Sequence, residues 1–225
     1  MSQTQKMALV VGVGPGLSAS VARKLAAAGY RVGLAARNVG KLAGLAKETS
    51  AKVFACDATV PEQVERLFAD AGAPDIVLFN AGGRARGPIA SLKPDEVRET
   101  LMANAFAAFL VGQAAARAMT PRGSGTLLFT GASASVKGFA GSAAFAMGKF
   151  AVRGLAQSLA RELGPKGIHV AHVVIDGAIH GAGSPNPADG QLEPDAIAEV
   201  YLHLIAQPRS AWTHEVDLRP WAETF

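Results

Sequence analysis

The stretch Gly12-Val13-Gly14-Pro15-Gly16-Leu17-Ser18 follows an apolar run and precedes an alanine-rich one. Glycine there removes the side chains that would keep a ligand away from the backbone. The N–H groups of a strand-to-helix turn, with the positive end of the helix behind them, make a seat for a pyrophosphate. Gly12, Gly14, Gly16 and Leu17 are therefore candidate binding positions. The spacing departs from G-x-G-x-x-G, because Leu17 stands where the third glycine belongs. In the alternative spacing, Gly12-x-x-x-Gly16-x-Ser18, the serine either accepts from the helix N-terminus or donates to a phosphate. A plain strand-to-helix turn with no ligand is the competing reading.

A second position reports on which dinucleotide. In many such sites a carboxylate ends the second strand and holds a ribose 2′-hydroxyl. Here the strand ends Ala35-Ala36-Arg37-Asn38. A guanidinium pairs with a 2′-phosphate and has no reason to hold a bare hydroxyl. NADP(H) is favoured over NAD(H), with Arg37 as the phosphate contact and Lys41 assisting one turn later. The bland alternative is that Arg37 is a solvated turn residue.

Such a seat needs a strand before it and a helix after it, and the rest of the chain repeats that unit. Short apolar runs at 8–13, 30–36, 52–56, 75–79, 125–130 and 169–175 read as strands. Helical patterns fill 18–28, 39–48, 62–71, 95–119, 142–163 and 194–206, and 213–218 is a candidate last strand. The strands are apolar on both faces, as in a parallel sheet covered by helices. The expected fold is therefore α/β, a doubly wound parallel sheet with helices on both faces, a Rossmann fold. Residues 1–225 read as a single dinucleotide-binding domain. A Gly-, Pro- and Ser-rich loop at 177–193 has neither helix nor strand pattern and reads as a flexible substrate loop.

Composition agrees. The chain has 225 residues, 49% hydrophobic and 18% charged, which excludes disorder. The net charge of +4 is scattered. It suits an anionic small ligand and forms no aromatic-basic stripe for nucleic acid. The uncharged run 7–22 is broken by glycines and a proline, unlike a signal peptide. The run 100–116 is too short to span a bilayer. A single cysteine, Cys56, fits a reducing compartment, so a cytoplasmic protein is expected. At a strand end among apolar neighbours, Cys56 reads as a packed residue and not a nucleophile.

Taken together, the sequence resembles the short-chain dehydrogenase/reductase family over nearly its whole length. The glycine loop has that family's spacing, except for Ser18 at the third glycine. The resemblance implies that Asp57 contacts the adenine and that Asn80-Ala81-Gly82 supports the sheet and lines the cofactor. It implies that Asn104 orders a water in the catalytic tetrad and that Lys149 holds the nicotinamide ribose. It further implies that Gly177 and Ile179 border the nicotinamide, Ile179 through its backbone. A homodimer or homotetramer built on the long helices that carry Phe106, Phe109, Phe145 and Phe150 is also implied, although core packing explains those rings equally.

Three departures matter. The family's catalytic tyrosine lies four residues before its lysine, and here that position is Phe145. Phenylalanine fills the volume but cannot move a proton. The family serine precedes the tyrosine by about a dozen residues. Thirteen back is Ala132, twelve back Ser133 and ten back Ser135; Ser133 is favoured, with Ser135 a substitute donor, and both also read as turn residues. Asp176 replaces the usual proline before Gly177, and His180 is a candidate replacement acid. Arg84 and Arg86 either border the cofactor, bind an acidic substrate group, or are exposed loop charges. Trp212 and Trp221 are candidates to seal a neighbouring subunit's pocket. No metal-ligand spacing is present.

The expected function is NADP(H)-dependent hydride transfer between nicotinamide and a carbonyl or alcohol carbon of a small molecule. The altered relay would draw its proton from water, Ser135 or His180. The alternative is a catalytically weak or inactive dinucleotide-binding protein, acting as a sensor or assembly partner.

Overall fold

The computed structural model describes residues 5–181 and 190–223. Among them are seven strands: β1 (Met7–Val11), β2 (Arg31–Ala36), β3 (Lys52–Ala55), β4 (Ile76–Phe79), β5 (Gly125–Thr130), β6 (Ile168–Ile175) and β7 (Glu215–Leu218). All pair in parallel, in the order β3-β2-β1-β4-β5-β6-β7. The helices are α1 (Leu17–Ala27), α2 (Ala43–Thr49), α3 (Pro61–Ala71), α4 (Pro94–Leu101), α5 (Ala107–Met119), α6 (Ala143–Leu163) and α7 (Pro194–Ala206).

Strand side chains alternate between faces with a period of two, and here both faces are apolar. Leu9, Val11, Val77, Phe79, Leu127 and Phe129 meet α3, α5 and α6 through Leu67, Val111, Val152 and Ala156. Ala8, Val10, Leu34, Leu78, Leu128 and Val173 meet α1 and α7 through Val21, Leu25, Ile197, Tyr201 and Leu204. This is the doubly wound α/β fold expected from the strand–helix repeats. The helical run 94–122 is long and apolar enough by composition to cross a bilayer, but Ala107, Ala108, Val111 and Ala115 of that run are buried in the core.

The sheet order places the functional region. The chain steps outward from β1 to β3, then returns to β4 on the other side of β1. The two halves diverge at the carboxyl ends of β1 and β4, which opens a crevice there.

Some boundaries differ from expectation, each for a local reason. β1 stops at Val11 because Gly12 has φ +88°, and the N–H groups of Gly12 and Val13 both turn to the Ala35 carbonyl. The segment 39–48 splits into a 3-10 turn, Val39–Leu42, and α2; Gly40 weakens the first turn as an α-helix. The expected helix 95–119 is interrupted by a π turn, Met102–Phe106. The loop 177–193 is clamped where it is described, by a bridge between Ile179 and Leu192; residues 182–189 lie outside the described residues.

Candidate functional site

A cleft of about 660 Å³ runs along the carboxyl ends of β1, β2 and β3. Gly12, Gly14 and Pro15 form one wall, and Arg37, Lys41 and Asp57 the other end. A Cβ at Gly12 would sit 2.3 Å from the Ala81 nitrogen, so glycine here lets the two loops touch. Gly14 has open space around it, on the side where a phosphate would approach. Gly16 and Leu17 stand behind the cleft at the start of α1 and do not line it; the Leu17 side chain is packed in the core. What they offer is the positive helix end.

Ser18 corrects one expectation. Its hydroxyl donates to the Gly12 carbonyl and accepts from Asn80 Nδ2, 2.6 Å away. It neither caps α1 nor reaches the cleft. It ties the glycine loop to the end of β4, where the Asn80 N–H donates to the Val11 carbonyl. Asp57 accepts from the Thr59 N–H and hydroxyl. Burial alone would raise its carboxyl, but those bonds and the Arg37 charge outweigh burial and hold it below the usual range. Arg37 and Lys41 make no ion pair with a described residue. Cys56 is buried, and burial pushes its thiol up to about 11, so it is no thiolate nucleophile at neutral pH.

Asn80, Ala81 and Gly82 are shared with a second cleft of about 940 Å³. Asn104 sits in the π turn, where the extra backbone residue turns it inward. Its Nδ2 donates to the carbonyls of Gly83 and Thr100, each at 2.8 Å. Its Oδ1 is buried without a hydrogen-bond partner. A Cβ at Gly82 would lie 2.8 Å from that oxygen and 3.9 Å from Lys149 Nζ, so glycine keeps a small polar gap between them. Lys149, only 7% exposed, donates to the Thr130 carbonyl at 2.9 Å. Burial, helped by the charge of Arg84, lowers its ammonium to about 8.

Phe145 lies one turn before Lys149 on α6 and lines the same cleft; the Lys149 ammonium is 5.9 Å from its ring centre. On the ring sits Arg84, its guanidinium carbon 4.6 Å from the centroid. Ser133 and Ala132 also line this cleft. Asp176 is buried; burial alone would raise its carboxyl, but the neighbouring Ser133 hydroxyl and the Lys137 and Arg219 charges outweigh that and hold it below the usual range. Ser135 is fully buried and accepts from the Ala132 N–H behind the loop; as a substitute donor it is out of reach. His180 does not line the cleft either. Its Nδ1 lies 3.2 Å from Glu193.

Gly177 and Ile179 line the far side. The Leu192 N–H donates to the Ala178 carbonyl, and the His180 N–H to the Leu192 carbonyl. Alternation along an extended segment therefore points the N–H and C=O of Ile179 the other way. Trp212 stacks on His169 of its own chain at 4.9 Å. Sequence reasoning missed the approach of Arg84 to Phe145 and the pairing of Asp176 with Lys137 and Arg219, since both depend on which segments meet in space.

A family described as short chain dehydrogenase matches residues 6–181. An uncharacterised oxidoreductase of Staphylococcus aureus (strain USA300) is 33% identical over 96% of this chain and 98% of its own. The crystal structure of a short-chain dehydrogenase from Rhodopseudomonas palustris is 36% identical, with TM-score 0.85 over 96% of this chain and 99% of its own. A metagenomic short-chain oxidoreductase solved in complex with NADP is 31% identical, with TM-score 0.84 over 96% and 97%.

Proposed function

The chain belongs to the short-chain dehydrogenase family, and from that premise we propose that it is an NADP(H)-dependent oxidoreductase acting on a carbonyl or alcohol carbon of a small molecule. The carrying observation is the continuity of the two clefts through Asn80, Ala81 and Gly82, with Arg37 and Lys41 at one end and Lys149 at the other. In this reading the glycine loop seats the pyrophosphate, Arg37 and Lys41 take the 2′-phosphate, and Asp57 borders the adenine. Lys149 holds the nicotinamide ribose, and Gly177 and the Ile179 backbone flank the nicotinamide. The bound dinucleotide would supply or accept the hydride.

The protein's own part is to orient the substrate and move the proton. Phe145 stands at the family's tyrosine position and has nothing to ionise. Neither Ser135 nor His180 lines the cleft, and in this reading the proton comes from water. Lys149, with an ammonium near 8, polarises that water and resupplies it; the unpartnered Asn104 Oδ1 fixes a water on the other side of the same gap. Ser133 lines the cleft and donates its hydroxyl to the substrate oxygen. If this is the relay, reduction of a carbonyl with NADPH slows as the pH rises through about 8, because the ammonium loses its proton. A rate independent of pH across that range would remove Lys149 from the relay.

A second reading rests on the same Phe145: a dinucleotide-binding protein with little or no turnover, serving as a sensor or assembly partner. Tight NADPH binding with no native turnover favours it. In either case we place the protein in the reducing cytoplasm, as one dinucleotide-binding domain. We propose a homodimer or homotetramer formed across α5 and α6, where Phe109, Met147 and Phe150 are exposed.

A further inference from the structure

We propose that the second cleft selects substrates bearing an anionic group, a carboxylate or a phosphate, and that Arg84, with Arg86 beside it, is the specificity-determining element; this rests on the hydride-transfer reading above.

The Arg84 guanidinium carbon lies over the Phe145 ring, 4.6 Å from its centre. A cation there is attracted by the ring's negative face and keeps N–H groups to donate to an anion. Neither Arg84 nor Arg86 makes a hydrogen bond or ion pair with a described residue. Their neighbours behave differently: Lys137 and Arg219 are both paired with Asp176, and Arg153 is paired with Glu215.

The charge in the cleft is unbalanced. Among the described residues its lining holds Arg84, Arg86 and Lys149 and no carboxylate. The three disfavour one another. After partial burial, Arg86 is what holds the Arg84 guanidinium below its usual value, and Arg84 does the same to Lys149. Like charges gathered without a counter-ion cost stability unless a ligand supplies the opposite sign. The nicotinamide ring is positive when oxidised and neutral when reduced, so that end of the dinucleotide brings no counter-charge; in the reading above its phosphates sit in the first cleft, at the glycine loop, Arg37 and Lys41.

The geometry ties selection to chemistry. The Arg84 guanidinium carbon is 4.6 Å and the Lys149 ammonium 5.9 Å from the centre of the Phe145 ring. An anion gripped by Arg84 therefore leaves the rest of a small molecule in the cleft that Ser133, Phe145 and Lys149 also line. A small oxo acid, or its phosphate counterpart, has the matching charge.

The test is calorimetric titration of the full chain, saturated with NADP+ so that no turnover occurs. Pyruvate, acetoacetate and levulinate are each compared with the neutral methyl ester. NADP+ affinity is measured first for the native chain, Arg84→Gln, Arg84→Lys and Arg86→Gln, with melting temperature as the folding control. At least one acid is expected to bind on the order of tenfold tighter than its ester. Arg84→Gln removes that preference with NADP+ affinity and melting temperature unchanged, and Arg84→Lys keeps part of it. Competition by acetate assigns the carboxylate form of the anion, and competition by inorganic phosphate the phosphate form. Equal binding of every acid and ester, with neither anion competing, overturns the proposal while leaving the functional reading intact. A preference that survives Arg84→Gln removes Arg84 from it. Failure of the native chain to bind NADP+ overturns the functional reading and this proposal with it.

Discussion

The Lys149 ammonium lies 5.9 Å from the centre of the Phe145 ring, one turn away on α6. The ring lines the second cleft together with Ser133, Arg84 and Lys149, so a hydroxyl on it would join that set. Phe145→Tyr is therefore expected to raise the rate of NADPH oxidation across a carbonyl panel by about 10²–10⁴-fold, the usual value of a placed acid–base group. Steady-state kcat with NADPH affinity measured in parallel checks this. An unchanged kcat would mean that the native relay already supplies the proton at full efficiency.

Arg37 lines the first cleft and forms no ion pair with a described residue. Arg37→Ala should weaken NADPH binding roughly 10–100-fold, the value of a charge-assisted contact to phosphate. NADH binding should stay within about twofold. Fluorescence titration with both nucleotides reads the two numbers. Equal loss for both would move Arg37 away from the 2′-phosphate.

The two loop glycines separate folding from binding. Gly12→Ala puts a Cβ 2.3 Å from the Ala81 nitrogen at a φ of +88°, at a cost of roughly 2–4 kcal/mol from overpacking and left-handed backbone. Gly14 has nothing within 4 Å, so Gly14→Ala should keep the native urea midpoint. It should still lose NADPH affinity, because the new methyl occupies the phosphate's approach. Urea denaturation and nucleotide titration on both variants test the pair; a Gly14→Ala chain that binds normally would place the phosphate elsewhere.

Acid should destabilise the fold through its buried imidazoles. His172 is fully buried and bonded to Glu215 at 2.9 Å. Burial lowers its pKa from 6.5, the Lys149 and Arg153 charges adding to this and Glu215 opposing it. His169 is lowered by burial too, against the Thr213 and Leu204 carbonyls. The unfolded chain binds the proton first, so stability present above about pH 6.5 is lost as the pH falls through the window below it. Denaturant midpoints from about pH 8 to about pH 5 should decline, and His172→Gln should flatten that slope. An identical slope in the variant would assign the acid sensitivity to other groups.

The exposed faces of α5 and α6 carry Phe109, Met147 and Phe150. Phe109→Glu combined with Phe150→Glu should halve or quarter the mass seen by light scattering, because charge in an apolar interface is unpartnered. A native chain already monomeric would leave these rings as plain surface.

Much of the fold was legible because its signals are local. Uncharged apolar runs, such as 76–79, read as strands buried on both faces, and Gly29, at φ +85°, marks the end of α1, whereas Gly164 carries the chain on into a 3-10 turn, Gly164–Lys166. The π turn at Met102–Phe106 was not legible, because one extra residue in a helix leaves the apolar period of 95–119 almost unchanged. The same holds for the site. Arg37 and Lys149 stand out by type and position, and they line two clefts that share Asn80, Ala81 and Gly82. What Ser18 and Ser135 do is set by their surroundings: Asn80, distant in sequence, for Ser18, and burial behind its loop for Ser135. In the sequence Arg84 reads equally as a cofactor border, a contact for an acidic substrate group or an exposed loop charge; the Phe145 ring against it is a contact made only in space.

The most direct measurement is an equilibrium titration of the native chain with NADPH, followed by nucleotide fluorescence. Saturable binding of one NADPH per chain, displaced by NADP+ and lost in Gly14→Ala, is the predicted result. A chain that keeps its fold yet shows no saturable NADPH signal would contradict the dinucleotide site on which the proposed chemistry depends.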